Sequence, residues 1–384
     1  MNSAMMDRQQ EAKRYARLRR RLWLVETGLF LAYGLLWLLS GFARQAGEAW
    51  AQALPFPLDV MGMAVLFGGG WVLLSLPLDF YGGFLLPHRF GLSTQTHKGW
   101  LADRLKALGI GALIGLPLIG GLYLAFRRWP QTWWLPVGIF WVFFAVLMTQ
   151  LAPVLLAPLF YRFRPLEDPE LISRLTHLAA RAGVRVRGVF TVDMSRRTRV
   201  ANAGLMGLGP TRRIVVGDTL LQGYTPEEIE AILAHELAHH LHRDIPLGLV
   251  FGSSLNLLGF FIGAQLLPPL IRGLGLPGLD HPSSLPALTL GGFLFSLGMM
   301  IPMNAWSRWR EWKADQRAIQ LCGRPQALAA ALRKLGEQNL AEMDPEPWVE
   351  WIFYTHPALG KRIRAAESKA HPPHRLDGPE ASLF

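Results

Sequence analysis

One cysteine, Cys322, stands in 384 residues, so no intramolecular disulfide framework and no cysteine-built zinc ribbon is available to this chain. Charge is scarce as well. Asp, Glu, Lys and Arg make up 17% of the residues while apolar types make up 51%, and the mean hydropathy is +0.22. That balance lies on the apolar side of soluble proteins. The formal net charge of +11 raises nucleic acid as a partner, but no nucleic-acid-binding motif accompanies it and the charge is concentrated elsewhere. Arg8, Lys13, Arg14, Arg17, Arg19, Arg20 and Arg21 all precede the first apolar run, as in a basic tail held beside anionic lipid. No internal repeat is present. No small-residue cleavage site follows the first apolar run either, so it reads as an uncleaved membrane anchor.

What is abundant is long hydrophobic stretches and aromatic rings. Leu22–Phe42, Val60–Leu78, Ala107–Phe126, Trp133–Phe160, Pro246–Leu270 and Ser284–Trp306 are each near or above the roughly 20 residues needed to cross hydrocarbon. Fourteen Trp and 21 Phe suit membrane interfaces, where amphipathic rings collect. The expected fold is therefore mainly α: a polytopic α-helical membrane protein of about six spans with a small cytoplasmic α+β lobe. The basic residues of the N-terminal tail and of the loop Pro87–Lys106 place both on the cytoplasmic side, and an even number of crossings returns residues 161–245 and the C-terminus to that side. Arg127 and Arg128 fall on the opposite side, against the trend. The expected division is a basic tail (1–21), spans 1–4 (22–160), the α+β lobe (161–245), spans 5–6 (246–307), a cytoplasmic C-terminal portion (308–367) and a disordered tail (368–384). Glu26, Asp59 and Asp79 lie near span ends, where charge is cheap, and carry no assigned role.

Within the lobe, Asp168-Pro169-Glu170 opens a helix to about Ala182, with Leu171, Ile172, Leu175 and Leu178 on one side. Gly188–Asp193 and Arg213–Val216 read as strands, Asn202–Met206 as a third, with Gly207 and Gly209 after it. Thr225-Pro226-Glu227-Glu228 has the form of an N-cap, a first-turn proline and a capping box. About two turns on lies His235-Glu236-Leu237-Ala238-His239. On a helix, positions four apart share a face, so two imidazoles reach one metal ion and the intervening Glu reaches a water upon it. By chance alone this pattern arises roughly once in fifty to a hundred chains of this length. The helix start and the stripe Ile229, Ile232, Leu233 and Leu237 supply the context such a motif needs. His240 and His242 have no partner at ligand spacing.

A catalytic zinc takes three protein ligands and leaves one position open. After the sixth run, Glu311 and Asp315 stand at i and i+4: a third ligand, and a carboxylate to orient a ligating His. Spacing alone fits a solvated face beside Arg308, Arg310, Lys313 and Arg317 equally well. At this point the sequence resembles the integral-membrane gluzincin metalloproteases, which include the type I CaaX prenyl endopeptidases and the HtpX heat-shock proteases. The shared elements are H-E-x-x-H and a distal E-x-x-A-D. Arg89–Thr96, Pro158-Leu159-Phe160, Ser195–Ala203 with Arg213–Leu220, and His356-Pro357 followed by Arg362 resemble the CaaX branch more closely. The likeness runs from about Pro87 to Ile363. It departs in counting six spans where the eukaryotic enzymes have seven, and in lacking an aromatic two residues after Asn202.

The resemblance implies one Zn2+ per chain on His235, His239 and Glu311, with Glu236 as general base and Asp315 behind a ligating His. It also implies Asn202 as a substrate-backbone contact and His356 and Arg362 as oxyanion donors. Without it, Asn202 reads as a turn and His356-Pro357 as a surface corner. The implied partners are the lipid bilayer and a peptide or protein substrate at or in the membrane, with no nucleic acid. The implied setting is a bacterial inner membrane with the N-terminus, active site and C-terminus cytoplasmic. Two substrate classes remain open: membrane protein in quality control, and a lipidated C-terminal tail. A non-enzymatic scaffold with a structural metal is the rival from another class; such sites are usually closed by four protein ligands.

Overall fold

The computed structural model describes residues 3–207 and 212–370. Among the described residues six helices are long and apolar enough to cross a membrane: Asp7–Leu39, Leu58–Arg89, His97–Arg128, Trp134–Phe160, Asp244–Gly273 and Pro282–Cys322. In chain order the helices are α1 (Ser3–Leu39), α2 (Phe42–Ala53), α3 (Leu58–Arg89, closing through a π turn), α4 (His97–Arg128) and α5 (Trp134–Phe160). The lobe follows, with β1 (Phe163–Pro165), α6 (Pro169–Arg181), β2 (Val189–Val192), β3 (Ala203–Met206), β4 (Arg213–Gly217), the short α7 (Asp218–Leu221) and α8 (Pro226–Leu241). The chain then returns through α9 (Asp244–Gly273) and α10 (Leu285–Cys322) and ends with α11 (Pro325–Gln338), α12 (Pro347–Phe353) and α13 (Leu359–Ala370).

The basic N-terminal stretch is not a separate tail. It is the first part of α1, and it docks on the loop after α3, on Val200 of the lobe and on the segment after α11. Ala12 is fully buried with Leu92 and Leu340, Tyr15 packs on Phe90 at 5.2 Å, and Arg20 pairs with Glu342 at 3.1 Å. Long-range contacts of this kind leave no local periodicity. The first span accordingly ends at Leu39, and Phe42 opens α2, a 12-residue amphipathic helix at the end of the spans away from the lobe. Gly47 lets α2 lie against Pro282–Ser284: a Cβ there would stand 2.5 Å from the Ser283 nitrogen. The connection between α3 and α4 is shorter than Pro87–Lys106, since α4 already begins at His97.

The misplaced charge at Arg127 also finds its explanation. Its guanidinium lies 3.4 Å from the buried Asp59 carboxylate and 4.1 Å from the Phe56 ring centroid. A paired arginine of this kind is not a free topological signal.

The lobe's sheet runs β1-β2-β4-β3, with β2 and β4 parallel and both outer pairings antiparallel. Val189 stands opposite Ile214 and Ala203 opposite Val216. The expected strands are found within a residue or two. β1 was not expected: three residues containing a proline carry no alternation to read, and proline is tolerated on an edge. Leu175, Leu178, Ile214, Leu220, Leu233 and Leu237 form a fully buried core between the sheet, α6 and α8. The loop after α3 clamps lobe to spans through a Ser93–Thr198 bridge and an Arg197–Asp103 ion pair of 2.7 Å. Ser368–Ala370 are helical, the end of α13; the remainder of the expected disordered tail, 371–384, and Gly209 lie outside the described residues.

The start of α8 follows the sequence closely. Glu228 N donates to Thr225 Oγ1 at 3.3 Å and Thr225 N donates to Glu228 Oε2 at 2.8 Å, while Lys334 reaches the same carboxylate at 2.7 Å. Replacing Thr225 with Ala is expected to lower stability by about 1 kcal/mol, read as an earlier denaturation midpoint in detergent. An unchanged midpoint would show that the cap does not anchor this helix.

Candidate metal centre

Two helices meet at the site. α8 brings His235 and His239 one turn apart on the face turned toward α10, and α10 presents Glu311 and, one turn on, Asp315. His235 Nε2 and His239 Nε2 are 3.1 Å apart. Glu311 Oε2 lies 3.3 Å from the first and Glu311 Oε1 3.2 Å from the second. A tetrahedral ion with ligands at about 2.0–2.1 Å separates its donor atoms by about 3.3 Å. The three side chains each offer one donor atom within 4.8 Å of the others, close enough to share one ion. Glu311 Oε2 is also buried without a hydrogen bond, an orphaned acceptor that a cation would satisfy. The donors fit zinc: two imidazoles and a carboxylate, with no fourth protein ligand in the cluster. Cys322 is half-buried and free, and it lies outside the cluster, as do His240 and His242.

Each imidazole is steered from behind. His235 Nδ1 lies 2.9 Å from Asp315 Oδ1, and His239 Nδ1 is hydrogen-bonded to Asp244 Oδ2 at 2.6 Å. Both carboxylates are held by an arginine. Arg362 donates Nε and Nη2 to Asp315, each at 2.7 Å, and its Nη1 lies 3.4 Å from Glu311 Oε2. Arg310 pairs with Asp244 and donates to the His242 carbonyl at 2.8 Å. Two of Arg362's donor atoms are thus engaged by Asp315, and the third faces Glu311.

Asp244 and Arg310 are the residues that sequence reading missed. Asp244 stands five positions after His239, just past the end of α8, so helical spacing does not flag it; the available signal was a carboxylate in the first turn after a metal-motif helix. Asp244→Asn is expected to weaken zinc binding by about 10–100-fold in chelator competition, since partners of this kind hold ring orientation. Affinity equal to the parent would assign Asp244 to helix capping alone.

Burial presses the His235 pKa down, but the carboxylates of Asp315 and Glu311 outweigh it and raise it to about 9. Metal must displace that proton, so loading weakens as pH falls. Burial raises the carboxyl pKa of half-buried Glu236 above its ordinary value.

Glu236, Asn202, His356 and Arg362 all line one groove of about 320 Å³. Its wall includes Asn202 and Ala203, at the start of β3, which is the sheet's outer strand on this side. Asn202 O accepts from Gly217 N at 2.9 Å, extending the β3–β4 pairing by one residue. A Cβ at Gly204 would stand 3.8 Å from Glu236 Oε2, so β3 runs directly beside that carboxylate. Opposite, His356 has an exposed side chain at the rim, with Nε2 3.3 Å from Glu311 Oε1. All eight residues singled out in the sequence converge on this groove and the metal cluster beneath it.

A membrane-spanning chain with this donor set beneath an open groove has the form of a metallopeptidase. The comparisons with known proteins agree. Residues 165–370 match the model of peptidase family M48, and residues 4–162 match that of the CAAX prenyl protease N-terminal, five membrane helices. The chain belongs to family M48 and is a membrane metalloprotease. Within 4–162 the structure has four helices of spanning length and the short α2. Among relatives, the chain is 29% identical to the Bacillus subtilis protein called uncharacterized metalloprotease YhfN, over 95% of this chain and 87% of that one. It is 31% identical to the Saccharomyces cerevisiae CAAX prenyl protease 1, over 77% of this chain and 69% of that one. The crystal structure of Saccharomyces mikatae Ste24p matches with a TM-score of 0.84 and 26% identity, covering 94% of this chain and 89% of that one.

Proposed function

We propose that the protein is a zinc-dependent endopeptidase whose single metal sits on His235, His239 and Glu311, at the cytoplasmic surface of a bacterial inner membrane. The observation that carries this reading is the convergence of His235, His239 and Glu311, each offering one donor atom within 4.8 Å of the others, beside Glu236 at the base of a groove. Zinc bound there acidifies a water and polarises a substrate carbonyl. The protein's own residues do the rest. Glu236, raised in pKa and not a ligand, accepts the water's proton and returns it to the leaving amine. The outer edge of β3 offers backbone groups on which an extended peptide adds as a further strand, with Asn202 at its start. His356, exposed at the rim with Nε2 3.3 Å from Glu311 Oε1, is the donor that turns to the oxyanion when substrate is bound; Arg362 supports Glu311 and Asp315 from below and presents Nη1 toward Glu311.

Location follows from helix length. Glu311 lies 26 residues into α10, about 39 Å along it, which is just beyond a hydrocarbon core of about 30 Å. Asp244, which holds His239, is the first residue of α9. The metal therefore belongs at the membrane surface, and the substrate is a peptide segment presented there. The basic residues of α1 favour the cytoplasmic side.

A lipidated C-terminal tail is the second substrate reading, favoured by the likeness to CAAX prenyl protease 1 along 77% of the chain. Hydrolysis of a casein-type peptide and of a farnesylated peptide by the zinc-loaded protein tests both. Cleavage of the lipidated peptide alone selects the second reading, and cleavage of the plain peptide selects general proteolysis at the membrane. No cleavage of either above the Glu236→Gln background would sink the protease assignment.

A further inference from the structure

At the end of the spans opposite the lobe lies a cavity of about 590 Å³, between the α4–α5 connection and the last turns of α9. It is unrelated to the groove: Arg272 stands 28 residues from Asp244 on α9, about 42 Å away along the helix. Its polar lining is Arg127, Gln131, Gln265, Arg272 and Asp280. Neither Arg272 nor Asp280 has an ion-pair partner among the described residues. Arg127 uses Nη2 toward Asp59 and keeps its other donors.

The walls on this side face lipid. The most apolar stretches of α5 and α9 have no residue buried by protein, and Leu266 and Leu270 on α9 are 62% and 48% exposed. The cavity thus opens where two lipid-facing helices reach the headgroup layer. Arginine guanidinium groups at that depth bind phosphate, by two parallel hydrogen bonds where geometry permits. Charge separates zwitterionic from anionic headgroups, and hydrogen bonding to Asp280 separates a primary ammonium, which has N–H donors, from a quaternary one, which has none. Of the charged lining residues, Arg127 is already paired with Asp59 outside the cavity, which leaves one cation, Arg272, and one anion, Asp280, without an ion-pair partner among the described residues. A ligand bearing one phosphate and one ammonium keeps that balance; a net anion does not.

We propose that this cavity binds the headgroup of an aminophospholipid, its phosphate on Arg272 and Arg127 and its ammonium on Asp280. The site is independent of the proteolytic reading. Gln131 and Gln265 supply the remaining polar contacts, to glycerol and ester oxygens, while the acyl chains run down the exposed faces of α5 and α9.

Native mass spectrometry of the full-length protein in detergent, offered equal amounts of phosphatidylethanolamine, phosphatidylglycerol and phosphatidylcholine with matched chains, tests it. The parent protein is expected to retain phosphatidylethanolamine at least about fivefold over the other two. Arg272→Gln is expected to lower retention of all three, and Asp280→Asn to level phosphatidylethanolamine with phosphatidylglycerol. Unchanged hydrolysis of an unlipidated peptide shows that both variants are folded; where no peptide is cleaved, an unchanged thermal midpoint serves instead. The proposal is overturned by equal retention of the three lipids in the parent, or by a preference that survives both substitutions. Displacement of the lipid by soluble glycerophosphoethanolamine at equal concentration would assign the cavity to a free headgroup metabolite and likewise overturn it.

Discussion

Glu236→Gln is expected to cut peptide hydrolysis by about a thousandfold while leaving zinc content at one per chain. The substitution keeps size and polarity but removes a groove carboxylate that stands beside the metal cluster without belonging to it. General-base and general-acid roles each contribute about 10²–10⁴-fold, and in the proposed mechanism one residue performs both in sequence. The pH profile carries a second readout. A general base must be unprotonated, and burial raises the Glu236 pKa above the ordinary range. Activity is then lost as pH falls through a value above the usual glutamate pKa of about 4.3. The residual rate of the Gln variant should lack that acid limb. Retention of more than about a tenth of the parent rate, or the same acid limb in both proteins, rules out Glu236 as the base.

The second large effect is expected at Asp315. Its carboxylate takes two hydrogen bonds of 2.7 Å from Arg362 and faces His235 Nδ1 at 2.9 Å, and both members of the ion pair are buried. Asp315→Asn leaves the Arg362 guanidinium buried beside a neutral amide. Removing one partner of a buried pair costs about 3–5 kcal/mol. The same change weakens the hold on His235, and zinc affinity should fall by about 10–100-fold. Denaturation of the metal-free protein isolates the first effect and chelator competition the second. Asp315→Leu combined with Arg362→Met should recover much of the stability, since both charges leave together, but not the zinc affinity. A single variant with the parent midpoint would mean that Asp315 is not the group keeping Arg362 in place.

How much of this was legible in the chain depended on whether the signal was local. Thr225 to Glu228 and His235 to His239 lie within one turn of each other, so helical spacing alone relates them, and the capping box forms as the residues predict. Glu311 and Asp315 were readable as a pair at the same spacing, although only their position against α8 separates a ligand pair from a solvated face. Asp244 and Arg310 sit outside any such period: one follows the end of α8, the other adjoins Glu311 on α10, and they meet through tertiary packing. The same holds for α1. Its seven basic residues looked like a lipid-facing tail, yet Ala12, Tyr15 and Arg20 are taken up by the loop after α3 and the segment after α11. Arg20 meets a carboxylate, Glu342, more than three hundred residues away, and Tyr354 OH donates to that same carboxylate at 3.2 Å on the groove wall. Arg127 shows the converse, a charge that misled topology counting because a buried Asp59 already neutralised it.

Helix α10 continues for 38 residues through an interior proline, Pro302, with its lower part among the spans and its upper part supplying Glu311 and Asp315. A continuous helix carries a tilt from one end toward the other. Tilting it by about 5° about its far end would displace Glu311 by about 3.4 Å, at 1.5 Å of rise per residue. That displacement is as large as the separations between the metal-binding atoms themselves, 3.1 to 3.3 Å. α8 could follow only by carrying the lobe's core with it, because Leu233 and Leu237 are fully buried there. Bilayers of different thickness change helix tilt, so on the proposed metal site the thickness of the membrane would become a mechanical input to coordination.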